Sequence, residues 1–169
     1  MSLASELLDL AEHLSTRERR RPRQASLRRS VSTSYYALFH LLTGEAASLV
    51  GPNMATGAIR KMQRWFDHGE MKKVCGIFAT AEAPKQITSI LGAPVSGDLQ
   101  TVAQAFIKLQ EARHDADYNL ETIWTKLTAQ EFVQVAKDAF AAWARIRRSH
   151  EANVFAVALF SVKLFDKER

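Results

Sequence analysis

The chain has 169 residues, the length of one domain with a single well-formed core. Its composition, 47% apolar and 24% charged, is typical of a soluble globular protein. The net charge of +5 permits an anionic partner such as RNA or DNA without requiring one. With only seven glycines and four prolines, the composition favours few and long elements, and therefore helices.

Cys75 is the only cysteine, which excludes an intrachain disulfide and a cysteine-based zinc site. The amino-terminal residues are acidic and amphipathic, unlike a signal peptide. The longest apolar run, at residues 154–162, is too short to span a membrane. We therefore expect a soluble, cytoplasmic protein with no membrane association.

The first forty residues predict two helices with a basic segment between them. Apolar residues recur at helical spacing over residues 3–14, and an arginine-rich run with Pro22 ends that helix. A long helix is predicted from Gln24 to the Gly-Pro-Asn sequence at 51–53. One of its faces is apolar and a second is small or aromatic, so we expect neighbours on both sides.

Arginines cluster around the start of this long helix. They are Arg17, Arg19, Arg20, Arg21, Arg23, Arg28 and Arg29. Two interpretations are open, a solvated basic loop and a surface that binds phosphate groups.

The remaining segments also predict helices. Residues 54–79 are amphipathic and basic, with an interruption expected at Gly69. Residues 80–98 form a connector with one short helix. Ser96 or Asp98 is expected to cap the next helix.

Two further helices are predicted at the carboxyl end. The first opens at Leu127-Thr128, and Ser149 is expected to cap the second, over residues 150–166. No segment alternates at period two for long enough to indicate a strand. The pattern predicts an all-α, up-and-down bundle of about five or six helices, as one domain over residues 1–169.

The sequence EARHDADYNL at 111–120 concentrates polar side chains after a helical apolar stripe. Glu111 and His114 form a Glu-x-x-His pair, but di-iron bundles need two such pairs, and a second is absent. We predict no metal and no cofactor. The stripe continues at i+4 spacing onto Arg113 and Asp117, so Arg113 should lie near an apolar seam, where an unpaired charge is costly.

Three sequences carry a family resemblance: RRSVSTSYYALFHLL at 28–42, RWFDHGEMKKVC at 64–75 and LQEARHDADYNL at 109–120. Together they resemble the HEPN superfamily, in the branch of small bacterial proteins with an SxxYYAxFH helix and a later ADY motif. The resemblance covers roughly residues 5–165. It implies a helical bundle that commonly forms homodimers. Catalytic members are metal-independent ribonucleases, and some are toxins partnered with a nucleotidyltransferase.

This sequence departs from the pattern of the catalytic members. Catalytic members carry an arginine followed, after four to six residues, by a histidine. After Arg113 the corresponding positions hold Tyr118, Asn119 and Leu120, and His114 comes too early. Arg145 and His150 have the right spacing, but they lie beyond the family position, across a predicted helix break at Ser149.

Two interpretations of the polar cluster follow. As a degenerate catalytic site it would use Arg113, His114, Asp117 and Tyr118. As a structural element, Arg113 would pair with Asp117, and Tyr118 would hydrogen-bond to Tyr36 or His40.

Five further residues are candidates for ligand binding: Arg28, Arg29, Tyr36, His40 and His68. For His40 a hydrogen-bonded core histidine is the alternative, and for His68 a residue at a helix end.

The sequence predicts a non-catalytic HEPN-like homodimer that binds RNA, a nucleotide or a protein such as a nucleotidyltransferase. The alternative is a metal-independent ribonuclease of the toxin type.

Overall fold

The computed structural model describes residues 2–50 and 53–165, except for the side chains of Val50 and of residues 161–165. Within these ranges the protein is all-α, as predicted, and contains no strand. The helices are α1 (Leu3–Thr16), α2 (Gln24–Val50), α3 (Thr56–Met62), α4 (His68–Phe78), α5 (Lys85–Leu91), α6 (Gly97–Tyr118), α7 (Lys126–Ile146) and α8 (His150–Phe165). A 3₁₀ turn, Gln63–Trp65, follows α3.

The eight helices of the described ranges exceed the predicted five or six. The excess comes from the region between α2 and α6, where α3 and α5 have only seven residues each. α5 is the one short helix predicted within residues 80–98, and the interrupted segment 54–79 forms α3, a 3₁₀ turn and α4. No helix in the described residues is long and apolar enough to cross a membrane.

The predicted boundary of α2 at Gln24 is confirmed, whereas the predicted break in residues 54–79 is displaced. Its position is Phe66–Asp67 rather than Gly69, which lies in the first turn of α4. The Asp67 carboxylate accepts hydrogen bonds from the backbone N–H groups of Gly69 (2.8 Å) and Glu70 (3.0 Å). An aspartate cap satisfies N–H groups that have no partner within the helix, so it determines where α4 begins. Gly51 and Pro52, in the predicted end of α2, lie outside the described residues.

Two predicted serine caps are confirmed, Ser96 at the start of α6 and Ser149 at the start of α8. The Ser96 hydroxyl accepts a hydrogen bond from the Leu99 N–H at 3.2 Å, and that of Ser149 accepts one from the Ala152 N–H at 3.2 Å. Between α5 and α6 the chain turns at Gly92, whose φ of 69° is in the left-handed region that glycine adopts without strain.

The chain divides into two compact units, one of residues 1–41 and 105–141 and the other of residues 42–104 and 142–169. In the first unit a buried cluster consists of Leu27, Val31, Ala112, Ala116, Trp124 and Ala129, with Phe132 packed against it. In the second unit the ring of Phe155 lies edge-on to Phe78, with centroids 5.2 Å apart. The polar sequence at 111–120 belongs to the first unit.

Candidate functional site

Arg113 lies on α6 one turn beyond the buried Leu109, at the position where the apolar stripe continues. Its side chain is 21% exposed and that of Asp117 is 25% exposed. A charge in this setting loses much of its hydration, so its stability depends on partners within the protein.

The partners of Arg113 form a network that we call the Arg113 network: Ser32 and Tyr36 on α2, and Arg113 and Asp117 on α6. The Arg113 Nη2 donates a hydrogen bond to the Tyr36 hydroxyl at 2.8 Å. The Arg113 Nε lies 2.9 Å from the Asp117 Oδ2, which confirms the predicted i+4 ion pair. The hydroxyl of Ser32, itself fully buried, donates to the same Oδ2 at 3.3 Å.

Burial and bonding oppose each other at Arg113. Partial burial lowers its pKa, but the hydrogen bond to Tyr36, with the electrostatic attraction of Tyr36, Asp117 and Tyr118, outweighs it and raises the pKa above its ordinary value. The guanidinium therefore stays charged, and the network fixes its orientation.

Tyr118, the last residue of α6, is 64% exposed. The Arg113 guanidinium carbon lies 5.6 Å from the centroid of its ring and 5.5 Å from that of Tyr36, so one cation is within cation–π distance of both rings. We predicted a hydrogen bond from Tyr118 to Tyr36 or His40. The structure instead has the Arg113 guanidinium as the donor to the Tyr36 hydroxyl.

His114 is exposed, and its ring lies beside that of Tyr118 with centroids 5.1 Å apart. Arg113 and Asp117, by contrast, are engaged with α2. The structure therefore assembles all four proposed catalytic residues at the end of α6 but gives them different surroundings. The Asp117 Oδ2 already contacts both the Arg113 Nε and the Ser32 hydroxyl, so a substrate would have to compete with these partners for that oxygen.

Arg28, a predicted ligand-binding residue, is bound to the protein's own backbone. Its guanidinium donates to four carbonyl oxygens: those of Ala116 (3.0 Å), Asn119 (2.9 Å), Leu120 (3.3 Å) and Thr122 (2.6 Å). The carbonyl groups at the end of a helix have no partner within it, so Arg28 closes the end of α6 and holds the following loop. Sequence reasoning missed this role because the partners are 88 to 94 residues away.

The other predicted ligand-binding residues have separate environments. Arg29, next to Arg28, is exposed. His40 is half-buried beside the ring of Phe39, and burial lowers its pKa below the ordinary value. His68 begins α4 in the second unit. The structure thus gathers Tyr36 with Arg113 and Tyr118, whereas the binding roles of Arg28, Arg29, His40 and His68 stay predictions.

The second arginine–histidine spacing, Arg145 to His150, belongs to the second unit. Arg145 makes two hydrogen bonds to the Asp98 carboxylate, at 3.0 and 2.7 Å. The Nε2 of His150 lies 2.9 Å from the carbonyl oxygen of Ile90, and the predicted helix break before His150 is confirmed. Both side chains therefore have partners of their own within the unit.

The residues between α1 and α2 form the arginine segment, 17–23. Its five arginines are all exposed: Arg17, Arg19, Arg20, Arg21 and Arg23. The segment leads into Gln24, whose side-chain amide donates to the Trp124 carbonyl at 2.7 Å and accepts from the Trp124 N–H at 2.9 Å. The arginine segment therefore ends beside loop 119–125, the connection between α6 and α7 that Arg28 holds.

Among the residues with described side chains, no group of three or more histidine, cysteine, aspartate or glutamate residues is placed to hold a metal ion. Comparison of the chain with protein-family models, with curated proteins and with solved structures found no match in any of the three.

Proposed function

We propose that this protein is a HEPN-like module that binds RNA without cleaving it. The observation that carries the proposal is the Arg113 network, in which the one arginine at the family's catalytic position is bound to Tyr36 and Asp117. The family assignment rests on the resemblance of residues 28–42, 64–75 and 109–120.

Cleavage of RNA without a metal requires a base for the 2′-hydroxyl and a cation that stabilises the negative charge developing on the phosphate. Here Tyr118 stands at the first of the positions where the catalytic members carry their histidine, so the family's base is missing. The cation is paired with Asp117, so a phosphate would have to displace a carboxylate. Both features favour binding over catalysis.

The exposed arginine segment supports RNA as the ligand. Five arginines in seven residues concentrate positive charge in a short connection, and Arg29 adds one more exposed charge on α2. Arginine forms bidentate hydrogen bonds with phosphate oxygens, so such a segment is suited to a nucleic-acid backbone.

The test has two measurements on the purified protein. Incubation with a panel of RNAs in EDTA should give no cleavage, and fluorescence anisotropy should show binding that weakens steeply as salt rises. Cleavage that Arg113→Ala abolishes without unfolding would establish the alternative, a metal-independent ribonuclease. Binding that is absent, or independent of salt, would refute the RNA-binding proposal.

We also propose, from the same resemblance, that the protein acts as a homodimer. Light scattering across a range of protein concentrations should give twice the mass of one chain. A mass of one chain at all concentrations would refute this part of the proposal.

A further inference from the structure

Tyr118 presents an aromatic ring to solvent in a place where its conformation is held. The ring contacts the Arg113 guanidinium and lies beside the His114 ring, yet 64% of the residue is exposed. A cation–π contact of this kind favours one orientation of the ring, while most of the residue stays accessible to a ligand.

The side chains that support this ring are held by hydrogen bonds and an ion pair. Arg113 is fixed by Tyr36 on α2 and by Asp117 on α6. The side chain of Asp115 accepts hydrogen bonds from the Asn119 amide at 3.0 Å and the Thr122 hydroxyl at 3.1 Å, which hold loop 119–125. A group that is already ordered loses little conformational entropy when a ligand contacts it.

Positive charge borders the same loop. The two hydrogen bonds between Gln24 and Trp124 join the end of the arginine segment to loop 119–125, which begins immediately after Tyr118. An aromatic ring and a run of cations that border the same loop form a combination suited to single-stranded nucleic acid, since bases stack on the ring and phosphates pair with the cations.

We infer that Tyr118 is a stacking platform for an unpaired base of single-stranded RNA, whose neighbouring phosphates are bound by the arginine segment. This inference rests on the proposed RNA-binding function and narrows it to one strand. A base within a duplex already stacks on its neighbours, so its face is not accessible to a ring at the end of a helix.

The same loop exposes Leu120 (84%) and Ile123 (81%), side chains that would also suit a protein partner. The adjoining arginines favour RNA, because a strand supplies a phosphate at every nucleotide, whereas a protein would need a run of carboxylates to pair with them. The experiment must therefore distinguish RNA binding at this loop from a protein interface.

The experiment measures binding of a single-stranded RNA with 2-aminopurine in place of some adenines, and of the same sequence as a duplex. Tyr118→Ala should weaken binding of the single strand about tenfold and reverse the quenching of 2-aminopurine, with little effect on the duplex. Tyr118→Phe should bind as the wild type does, because it keeps the ring and loses only the hydroxyl.

Two control variants sharpen the result. Trp65→Ala removes an aromatic side chain that is 73% exposed in the second unit and should leave binding unchanged. Leu120→Ser with Ile123→Ser alters the exposed apolar side chains of the loop and should also leave RNA binding unchanged. A folded state equal to that of the wild type, by circular dichroism and melting temperature, is required of each variant.

The outcomes are distinguishable. If the wild type binds no RNA, the proposed function fails and the inference fails with it. If the wild type binds RNA and Tyr118→Ala binds equally well, RNA binding stands and the stacking role is overturned. If Leu120→Ser with Ile123→Ser dissociates an oligomer while Tyr118→Ala leaves RNA binding intact, the loop is a protein interface and the inference is likewise overturned.

Discussion

Two groups of arginines in the first unit have opposite environments. In the arginine segment, five guanidinium groups are exposed, and the nearest described acid, Glu18, lies 4.0 Å from Arg17. At the end of α6, Arg28 and Arg113 are bound to backbone carbonyls, a carboxylate and a phenol. The difference shows that arginine content alone does not identify a binding surface, since Arg28 and Arg113 are bound to groups of the protein itself.

The contrast also indicates that neighbouring parts of the first unit have separate roles. Arg28 and Arg113 stiffen the end of α6, and the exposed arginines remain accessible to an anion. Stability should therefore respond to substitutions at Arg28 and Arg113, whereas RNA affinity should respond to substitutions in the arginine segment. Substitutions in each group test this separation.

The largest effect is expected for Arg28→Ala. Four carbonyl groups lose a charged donor, and two of the four hydrogen bonds are part-buried, so the free energy of unfolding should fall by about 3 kcal/mol. Urea denaturation followed by circular dichroism measures the change. Arg29→Ala is the matched control, because that side chain is exposed, and it should change stability by no more than about 0.5 kcal/mol. Equal effects of the two substitutions would show that Arg28 does not brace the loop.

Arg113→Ala should come next, with a loss of about 2 kcal/mol, because it strands the partly buried Asp117 carboxylate and removes the support of Tyr118. A double-mutant cycle with Asp117→Ala isolates the ion pair, and we expect a coupling energy of about 1 kcal/mol. Additive losses would mean that the two side chains stabilise the protein independently.

The sequence was informative where the interactions were local. The Arg113–Asp117 pair follows from i+4 spacing, and the caps by Ser96 and Ser149 follow from residue type and position. The long helices α2, α6 and α7 were recognised because an apolar stripe repeats over several turns.

Contacts between distant segments were beyond sequence reasoning. Arg28 reaches carbonyls that are 88 to 94 residues away, and nothing near Arg28 in the sequence indicates that partner. The Tyr36–Arg113 bond joins residues 77 apart. The contacts of Tyr118 were missed for a related reason. The packing of α6 against α2 decides whether Tyr118 or Arg113 reaches the Tyr36 hydroxyl.

In the arginine segment, substitution of Arg19, Arg20 and Arg21 together by alanine should lower RNA affinity and leave stability nearly unchanged. If each arginine neutralises one phosphate, the slope of the logarithm of affinity against that of salt concentration should become shallower by about 2. Anisotropy titrations at several salt concentrations measure it. An unchanged slope would mean that RNA binds elsewhere on the protein. The exposed arginines would then have no part in RNA binding.

The smallest effect is expected for Arg145→Ala, which tests an exposed arginine that has a partner. The hydrogen bond from Arg145, with its positive charge, lowers the pKa of Asp98 in spite of an opposing desolvation effect. A carboxyl group whose pKa is lowered by folding adds stability above its unfolded pKa, and that stability is lost as pH falls through the folded pKa. Arg145→Ala should therefore raise the Asp98 pKa towards its ordinary value, as measured by NMR titration. Arg148→Ala, at an exposed neighbour, should leave it unchanged.

Because water and salt screen both side chains of this pair, the melting temperature at neutral pH should change little in Arg145→Ala. Below the folded pKa of Asp98, the wild type and the variant should have equal stability. A loss as large as that of Arg113→Ala would show that an exposed ion pair stabilises this protein as much as a part-buried one. The distinction between exposed and bound arginines would then not predict which of them maintain the fold.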